Sequence, residues 1–362
     1  MKVLIGINQK AHVLPGTDEL DGLNKIGFQC RSARYGRKDY SVQGHTRRLF
    51  DVVLNSFNII SALYTFSPDI LYLNSRFDPL ASVRDAITIF LVKCFYYKKL
   101  KIAIKSHGSD MSVFTTRSFL YKRIIVPHLT RHVDLWLLLS EEEKSTISKY
   151  NTGIAEKVSV TCNIIDPSRL ISSAEFRKKY KLNNDKMKII FIGRVVDEKG
   201  VFEFLKAIPL VDCKDKCDFI LVGDGKDFSQ VKQLAGELGI DPYLRFIGWV
   251  EEGETEHFYD CVDILILPTF HTEGFSMVLF NAVASGLPVI TTRIRAAVDH
   301  LKMPENVIWV EPKSEKQVAD AINELIRNET LRNNMSANNK KLASRFSRDK
   351  VCHEMSEAFM SI

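Results

Sequence analysis

The chain has 362 residues, 45% of them hydrophobic and 26% charged, with a formal net charge of +6. That is the make-up of a globular protein too long for one ordinary core, and it excludes disordered and collagen-like chains. Seven cysteines, an odd number without any CxxC pair, fit a reduced cytosolic setting and exclude a disulfide framework or a structural zinc site.

The chain opens on Met1-Lys2 and passes into Val3 to Ile7, which lacks the length and cleavage site of a secretory signal and reads as a first strand. Further strand-like runs follow at Ile70 to Leu73, Ile102 to Ile104, Leu135 to Leu139 and Lys157 to Val160. In the second half they are Lys188 to Ile192, Asp218 to Val222, Leu244 to Ile247, Ile264 to Leu267, Val289 to Thr292 and Val307 to Val310. Nearly continuous apolar strands separated by helix-length segments predict parallel sheets covered on both faces, hence an α/β protein of two doubly wound, Rossmann-like domains. The apolar rhythm breaks in the polar stretch Asn163 to Lys186, which contains Pro167 and the charged run Glu175 to Lys181. The domains are therefore expected at residues 1–165 and 166–346, with a final helix, 347–362, packing back on the first.

Charge is uneven along the chain. Residues 1–165 carry 23 Lys and Arg against 14 Asp and Glu, whereas the remainder carries 27 against 30. Lys93 to Arg131 holds nine basic residues and one acid, Asp110, interleaved with Phe95, Tyr96, Tyr97, Phe114, Phe119 and Tyr121. Such a segment suits an anionic membrane surface, and equally a solvated helix face with buried aromatics. No nucleic-acid-binding module is visible. The apolar stretch Ala86 to Tyr97 is interrupted by Lys93 and falls short of the roughly 20 residues that span a bilayer, so no transmembrane helix is expected. Cys213 and Cys217, spaced as neighbours on one helical face, read as small apolar residues.

Ligands of open α/β sheets sit beyond the carboxyl ends of the strands, so the loops there carry the functional signal. Gly193-Arg194-Val195-Val196-Asp197-Glu198-Lys199-Gly200 places an arginine and a lysine five residues apart before a helix, where both cations can face one diphosphate. Taken alone, the loop is equally a solvated turn. Thr269 to Met277 brings a glycine, hydroxyls and Glu273 to a strand-to-helix turn; backbone amides there can take phosphate oxygens, and the carboxylate can take sugar hydroxyls. Ser285-Gly286-Leu287-Pro288 ties that helix to the next strand. Ser106-His107-Gly108-Ser109-Asp110 puts a histidine at a strand end, where it is either structural or a substrate contact. There is no Walker motif, and Val222-Gly223-Asp224-Gly225-Lys226 has two of the three glycines of a dinucleotide fingerprint and reads as a turn. No Asp-x-Asp triplet is present, so no metal is expected, and cations and helix dipoles are left to hold a nucleotide diphosphate.

In order, Gly193-Arg194-(x4)-Lys199-Gly200, Leu221 to Gly225, Phe246 to Val250, Asp263 to Pro268, Glu273 to Ser276 and Ala284 to Ile290 resemble the C-terminal domain of the family-4 retaining glycosyltransferases, of the group 1 type. Ser106 to Asp110, Ser140, Asn163, Asp166 and Phe346-Ser347 extend the resemblance over most of the chain. It implies the GT-B fold, with two domains facing a central cleft. It also implies that Arg194 and Lys199 grip the diphosphate of a UDP- or GDP-linked sugar, with Gly193 beside them. Glu273 would hold sugar hydroxyls, the amides of Phe275, Ser276 and Met277 would meet the distal phosphate, and Thr269 and Gly274 would complete that loop. Gly248, Trp249 and Val250 would border the base, and His107 would reach the donor sugar. Gly16 and Asp110 would lie on the acceptor side. The implied activity is a metal-independent, retaining transfer of a hexose from a nucleotide-sugar to a glycan or lipid-linked acceptor in cell-surface polysaccharide synthesis. The protein would be cytoplasmic and peripheral on the inner membrane face, with no cofactor and no nucleic-acid partner.

Three positions depart from the family pattern. Asn281 stands where a second glutamate binds the ribose, exchanging charge-assisted hydrogen bonds for neutral ones. The glycine pair of the first strand-to-helix loop is reduced to Gly16 within Gln9 to Thr17. Arg293 to Asp299 lacks a small glycine turn. The alternatives left open are a catalytically silent GT-B subunit that binds a glycan or partner, and another GT-B enzyme such as an epimerase or phosphorylase.

Overall fold

A computed structural model of the chain describes residues 1–8, 13–36, 45–108, 110, 112–150, 152–182 and 185–362. Two six-stranded, wholly parallel sheets organise it. The first contains β1 (Lys2–Asn8), β2 (Gln29–Tyr35), β3 (Ile70–Ser75), β4 (Lys101–Ser106), β5 (Leu135–Leu138) and β6 (Val158–Val160), in the order β2-β1-β3-β4-β5-β6. The second contains β7 (Met187–Ile192), β8 (Cys217–Val222), β9 (Leu244–Gly248), β10 (Ile264–Leu267), β11 (Val289–Thr291) and β12 (Val307–Trp309), in the order β12-β11-β10-β7-β8-β9. Both are doubly wound α/β sheets, and each reverses direction once, between β1 and β3 and between β7 and β10. These switch points are where such sheets bind ligands.

Most of the apolar runs become interior strands buried on both faces, while Lys157 to Val160 and Leu244 to Ile247 become the partly buried edge strands β6 and β9. Every residue of β3, β5, β8 and β10 is buried. The sequence reading has no counterpart to β2, an edge strand of sequence QCRSARY in which only Tyr35 is buried. Its two arginines and open side leave no apolar alternation to read, and it forms because its backbone pairs in register with β1, Lys2 opposite Gln29 through Asn8 opposite Tyr35. Cys217 opens β8 and donates from Sγ to the Cys213 carbonyl at 3.5 Å, so the two cysteines share no helix face.

The chain divides into two compact units. One is Met1–Ile164 with Glu273–Phe275 and Phe346–Ile362, and the other is Ile165–Thr272 with Ser276–Arg345. The polar stretch after Asn163 is structured within the second unit. Asp166 caps a short 3-10 turn, Pro167–Leu170, and Ser173 caps the helix Ala174–Lys179. In the first unit α1 (Val13–Lys25) packs against the C-terminal helix Arg348–Met360, where Arg348 donates to Asp18 at 2.8 Å and Gly22 leaves the room that Cys352 fills.

One helix is longer and more apolar than the sequence analysis expects. α2 (His45–Phe66) contains a segment, Arg47–Phe66, long and apolar enough by length and composition to cross a membrane. The polar residues Asn55, Ser56, Asn58 and Ser61 interrupt its apolar run and hide it from a search for continuous stretches. It packs on α3 (Pro79–Phe95), with Ser56 Oγ 3.0 Å from Thr88 Oγ1, and buries Ile59 and Leu63 completely. Its other side exposes Leu49, Phe50, Leu54, Phe57 and Tyr64.

Candidate active site

In the second unit the loops after β7 and β10 flank the switch point, and glycines let the backbones meet there. Gly200 has φ +76°, and a Cβ at that position would run into the Pro268 carbonyl; only glycine fits. Gly223 and Gly225, the pair that reads as a turn, do more than turn: a Cβ on either would strike the carbonyl of Gly193 or Val195. The β8 loop thus lies directly on the β7 loop, with Gly193 N donating to Val222 O and Val195 N to Asp224 O at 3.0 Å each.

The Glu198 carbonyl fastens the β7 loop to the β10 loop. It accepts from Phe270 N, His271 N and Thr269 Oγ1, all at 3.0 Å. Thr292 Oγ1 donates to the Thr269 carbonyl and brings the end of β11 into the same assembly. Sequence reasoning missed Glu198 as the junction because its backbone, not its side chain, does the joining.

Within this frame Arg194 is exposed and its guanidinium lies 3.6 Å from the Glu198 carboxylate, while Lys199 is buried at 7% exposure. His271 Nδ1 sits 3.6 Å from the same carboxylate. Arg194 and Lys199 thus belong to one loop whose course is set by fixed backbone contacts. Ser276 precedes the helix Met277–Ser285 in extended conformation and makes no side-chain capping bond. Gly248 has φ +80° with open space at its Cβ position, and Trp249 beside it is 69% exposed. Asn281 is buried, as is the Tyr259 phenol, whose pKa burial pushes up.

The middle of the β10 loop, Glu273–Phe275, groups with the first unit. A Cβ on Gly274 would lie 3.3 Å from Glu143 Oε1 and from Leu139, and Phe275 meets Phe346 edge-on at 5.6 Å. Glu143 is itself wholly buried, accepting from Leu139 N at 3.0 Å, while Ser140 Oγ accepts from Glu143 N at 3.2 Å, the reciprocal cap of the helix Glu141–Tyr150.

His107 follows β4 in the first unit. Its backbone N donates to Ser75 O at 2.8 Å and its Nε2 lies 2.6 Å from Asn74 Oδ1. Asp110 Oδ1 accepts from Ser112 N at 2.9 Å, ahead of the short helix Ser112–Thr115. Gly16 falls inside α1 rather than in a loop, with its Cβ position 3.1 Å from Ile7 and 3.3 Å from Asn74 Nδ2. Residues 9–12 of the expected first loop, and Ser109, lie outside the described residues. Among the described residues no group of three His, Cys, Asp or Glu is placed to hold a metal ion.

The order of the second sheet, its switch point and its glycine-tied loops define a doubly wound α/β domain. Residues 172–342 match the family model described as Glycosyl transferases group 1. Its sequence is 26% identical over 219 residues to the glycosyltransferase MJ1607 of Methanocaldococcus jannaschii, covering 59% of this chain and 56% of that one. It is 27% identical over 239 residues to the capsular polysaccharide biosynthesis glycosyltransferase CapM of Staphylococcus aureus, covering 62% and 60%. These matches span less than two thirds of the relatives' lengths. The solved Anabaena HepE in complex with UDP-glucose superposes with a TM-score of 0.77 at 18% identity, covering all of both chains. The two-sheet architecture is thus the GT-B fold.

Proposed function

We propose that the protein is a retaining, metal-independent glycosyltransferase that moves a sugar from a UDP- or GDP-linked donor to a glycan or lipid-linked acceptor in cell-surface polysaccharide synthesis. One observation carries the reading: the loops holding Arg194, Lys199 and Thr269 meet on the Glu198 carbonyl at the switch point of the second sheet. Two cations there offset the charge that builds on a departing diphosphate, and because their loop is already fixed, little reorganisation is needed when the bond breaks. Glu273, with Gly274 and Phe275 held against Leu139, Glu143 and Phe346, supplies a carboxylate for sugar hydroxyls. Trp249 offers an exposed aromatic face beside the base site. UDP and UDP-glucose in HepE, and polysaccharide synthesis in the name of CapM, support the donor and pathway classes.

The test is isothermal titration with UDP, GDP and ADP, followed by a transfer assay with the conjugate of whichever nucleotide binds. Saturable binding lost in Lys199→Ala supports the reading, and wild-type transfer by Arg194→Ala and Lys199→Ala would sink the phosphate roles. A second reading, a catalytically silent glycan- or partner-binding subunit, is favoured by one observation: Asn281, at the position of the family's ribose-binding glutamate, is buried. Absence of binding to every nucleotide would support it.

The same proposal places the protein on the inner face of the membrane. Of the aromatics in Lys93 to Arg131, Tyr96 is buried and Tyr121 is tied to the Pro79 carbonyl, but Phe95, Tyr97 and Phe119 are exposed. Phe95 meets Phe57 of α2 at 5.8 Å, so the exposed apolar side of α2 adjoins the basic segment. Cations beside exposed aromatics favour an anionic bilayer over water. Liposome sedimentation checks this: retention on anionic vesicles at low salt, lost at high salt or on neutral vesicles, is expected.

A further inference from the structure

Behind His107 lies a buried polar chain that the proposed chemistry does not use. β3 and β4 run side by side with Asn74 opposite Lys105. The two-residue period of a strand puts Tyr72 with Asn74, and Lys105 with His107, on common faces. Lys105 Nζ donates to Glu19 Oε1 at 2.6 Å and to the Cys162 carbonyl at 2.9 Å, with Lys105 and Glu19 wholly buried. Tyr72 Oη donates to Glu19 Oε2 at 2.8 Å. Asn74, 1% exposed, has its Oδ1 3.2 Å from Tyr72 Oη and 2.6 Å from His107 Nε2, while its Nδ2 is buried without a partner.

Counting protons decides which way the amide faces. Lys105 can only donate, so Glu19 accepts from it as a carboxylate and accepts a second bond from Tyr72. The single phenolic proton goes to that carboxylate, because the bond is shorter and charge-assisted. Tyr72 Oη is then left with lone pairs toward Asn74, and an amide oxygen there would set acceptor against acceptor while stranding two amide protons in the core, a cost of about 1–3 kcal/mol. Turning the amide over sends one N–H to Tyr72 Oη and the other to His107 Nε2. The two amide ends have the same shape, so packing is unchanged. A 2.6 Å contact is short for either orientation and does not discriminate.

We infer that Asn74 is a positioning residue for His107, its amide set by the Lys105–Glu19–Tyr72 chain so that it donates to Nε2 and holds the imidazole as the Nδ1–H tautomer. Glu19, Tyr72 and Lys105 never touch substrate; they act through Asn74. The inference rests on the proposed function only for the use to which His107 is put, since the tautomer is a property of the resting protein.

The experiment is nitrogen NMR of the full chain labelled with 15N-histidine. Nine histidines contribute, and the His107 signals are those missing from His107→Gln. A proton on Nδ1 and a bare Nε2 at neutral pH is the expected result; a proton on Nε2 overturns the inference. Asn74→Asp presents acceptors only and is expected to move the proton to Nε2, and an unchanged His107 pattern in a folded Asn74→Asp protein also overturns it. If that variant does not fold, the wild-type spectrum alone decides. Sugar transfer is scored separately: absent transfer with the Nδ1–H pattern present counts against the function and leaves the inference standing.

Discussion

The carboxyl edges of the two sheets are built on opposite principles. In the first unit the switch-point residues are held from behind by buried side chains: Lys105, Glu19, Tyr72 and Asn74 run in an unbroken polar chain up to His107. In the second unit the candidate residues are held by backbone, with Gly200, Gly223 and Gly225 admitting main-chain contacts and the Glu198 carbonyl collecting three donors. The difference follows from what each edge must present. A neutral imidazole is directional and needs its tautomer specified by a neighbour. Guanidinium and ammonium groups carry charge in any orientation and need only a loop that does not move. Substitutions should therefore hurt the first edge through lost polar partners and the second through added atoms.

The largest effect is expected where the proposed function puts the chemistry. Lys199→Ala should lower kcat/KM by on the order of 100-fold or more with the melting temperature little changed, read in a transfer assay beside a thermal scan. Next is the first edge. Glu19→Gln leaves the wholly buried Lys105 cation without its counter-ion, and a chemical-denaturation curve should show about 3–5 kcal/mol lost. On the second edge Gly223→Ala is expected to cost about 1–3 kcal/mol or more, because φ +134° and the Gly193 carbonyl both refuse a side chain. If Glu19→Gln is silent and Gly223→Ala equally so, the contrast between the edges fails.

The second edge was largely legible in the sequence and the first was not. Glycines bracketing an arginine and a lysine after an apolar strand announce a loop with a role. So do Gly274 and Glu273 before a helix. Glu198 gave no such sign, because a carbonyl is common to every residue. The buried chain of the first edge did leave a trace: Lys105 stands in the otherwise apolar run Ile102-Ala103-Ile104-Lys105, and a lysine on a covered strand face requires a partner. Its partner Glu19 is 86 residues away on α1, a distance that no local pattern spans. β2 escaped for the reverse reason, since its stability comes from pairing with β1 rather than from its own side chains. α2 hid its apolar length behind scattered asparagines and serines, of which Ser56 is buried and Asn58 and Ser61 are exposed.

A milder test reaches the same second unit through pH. Burial, assisted by the Arg345 cation, lowers the His300 imidazole to about 4, with its ring edge-on to Phe280 at 5.7 Å. The folded state thus keeps His300 neutral where the unfolded chain, near 6.5, already takes a proton. Its contribution is fully present above pH 6.5 and is lost as pH falls from there toward 4, on the order of 1–3 kcal/mol. His300→Phe should flatten the fall in unfolding midpoint over that window; an unaltered slope would show that other groups set the acid sensitivity.

The smallest expected effect sits in Glu273–Phe275, residues of the β10 loop that belong to the first unit. Gly274 needs no left-handed backbone, and a methyl group there would lie 3.3–3.4 Å from Glu143 Oε1 and Leu139, a gap that a few tenths of an ångström of side-chain movement opens. Gly274→Ala should therefore cost less than about 1 kcal/mol, against the much larger penalty at Gly200, where the Pro268 backbone cannot yield. Because Gly274 directly follows Glu273, the proposed sugar contact, the substitution should act on transfer more than on melting temperature. Equal destabilisation by Gly200→Ala and Gly274→Ala would mean that the middle of this loop is as rigidly framed by backbone as its ends.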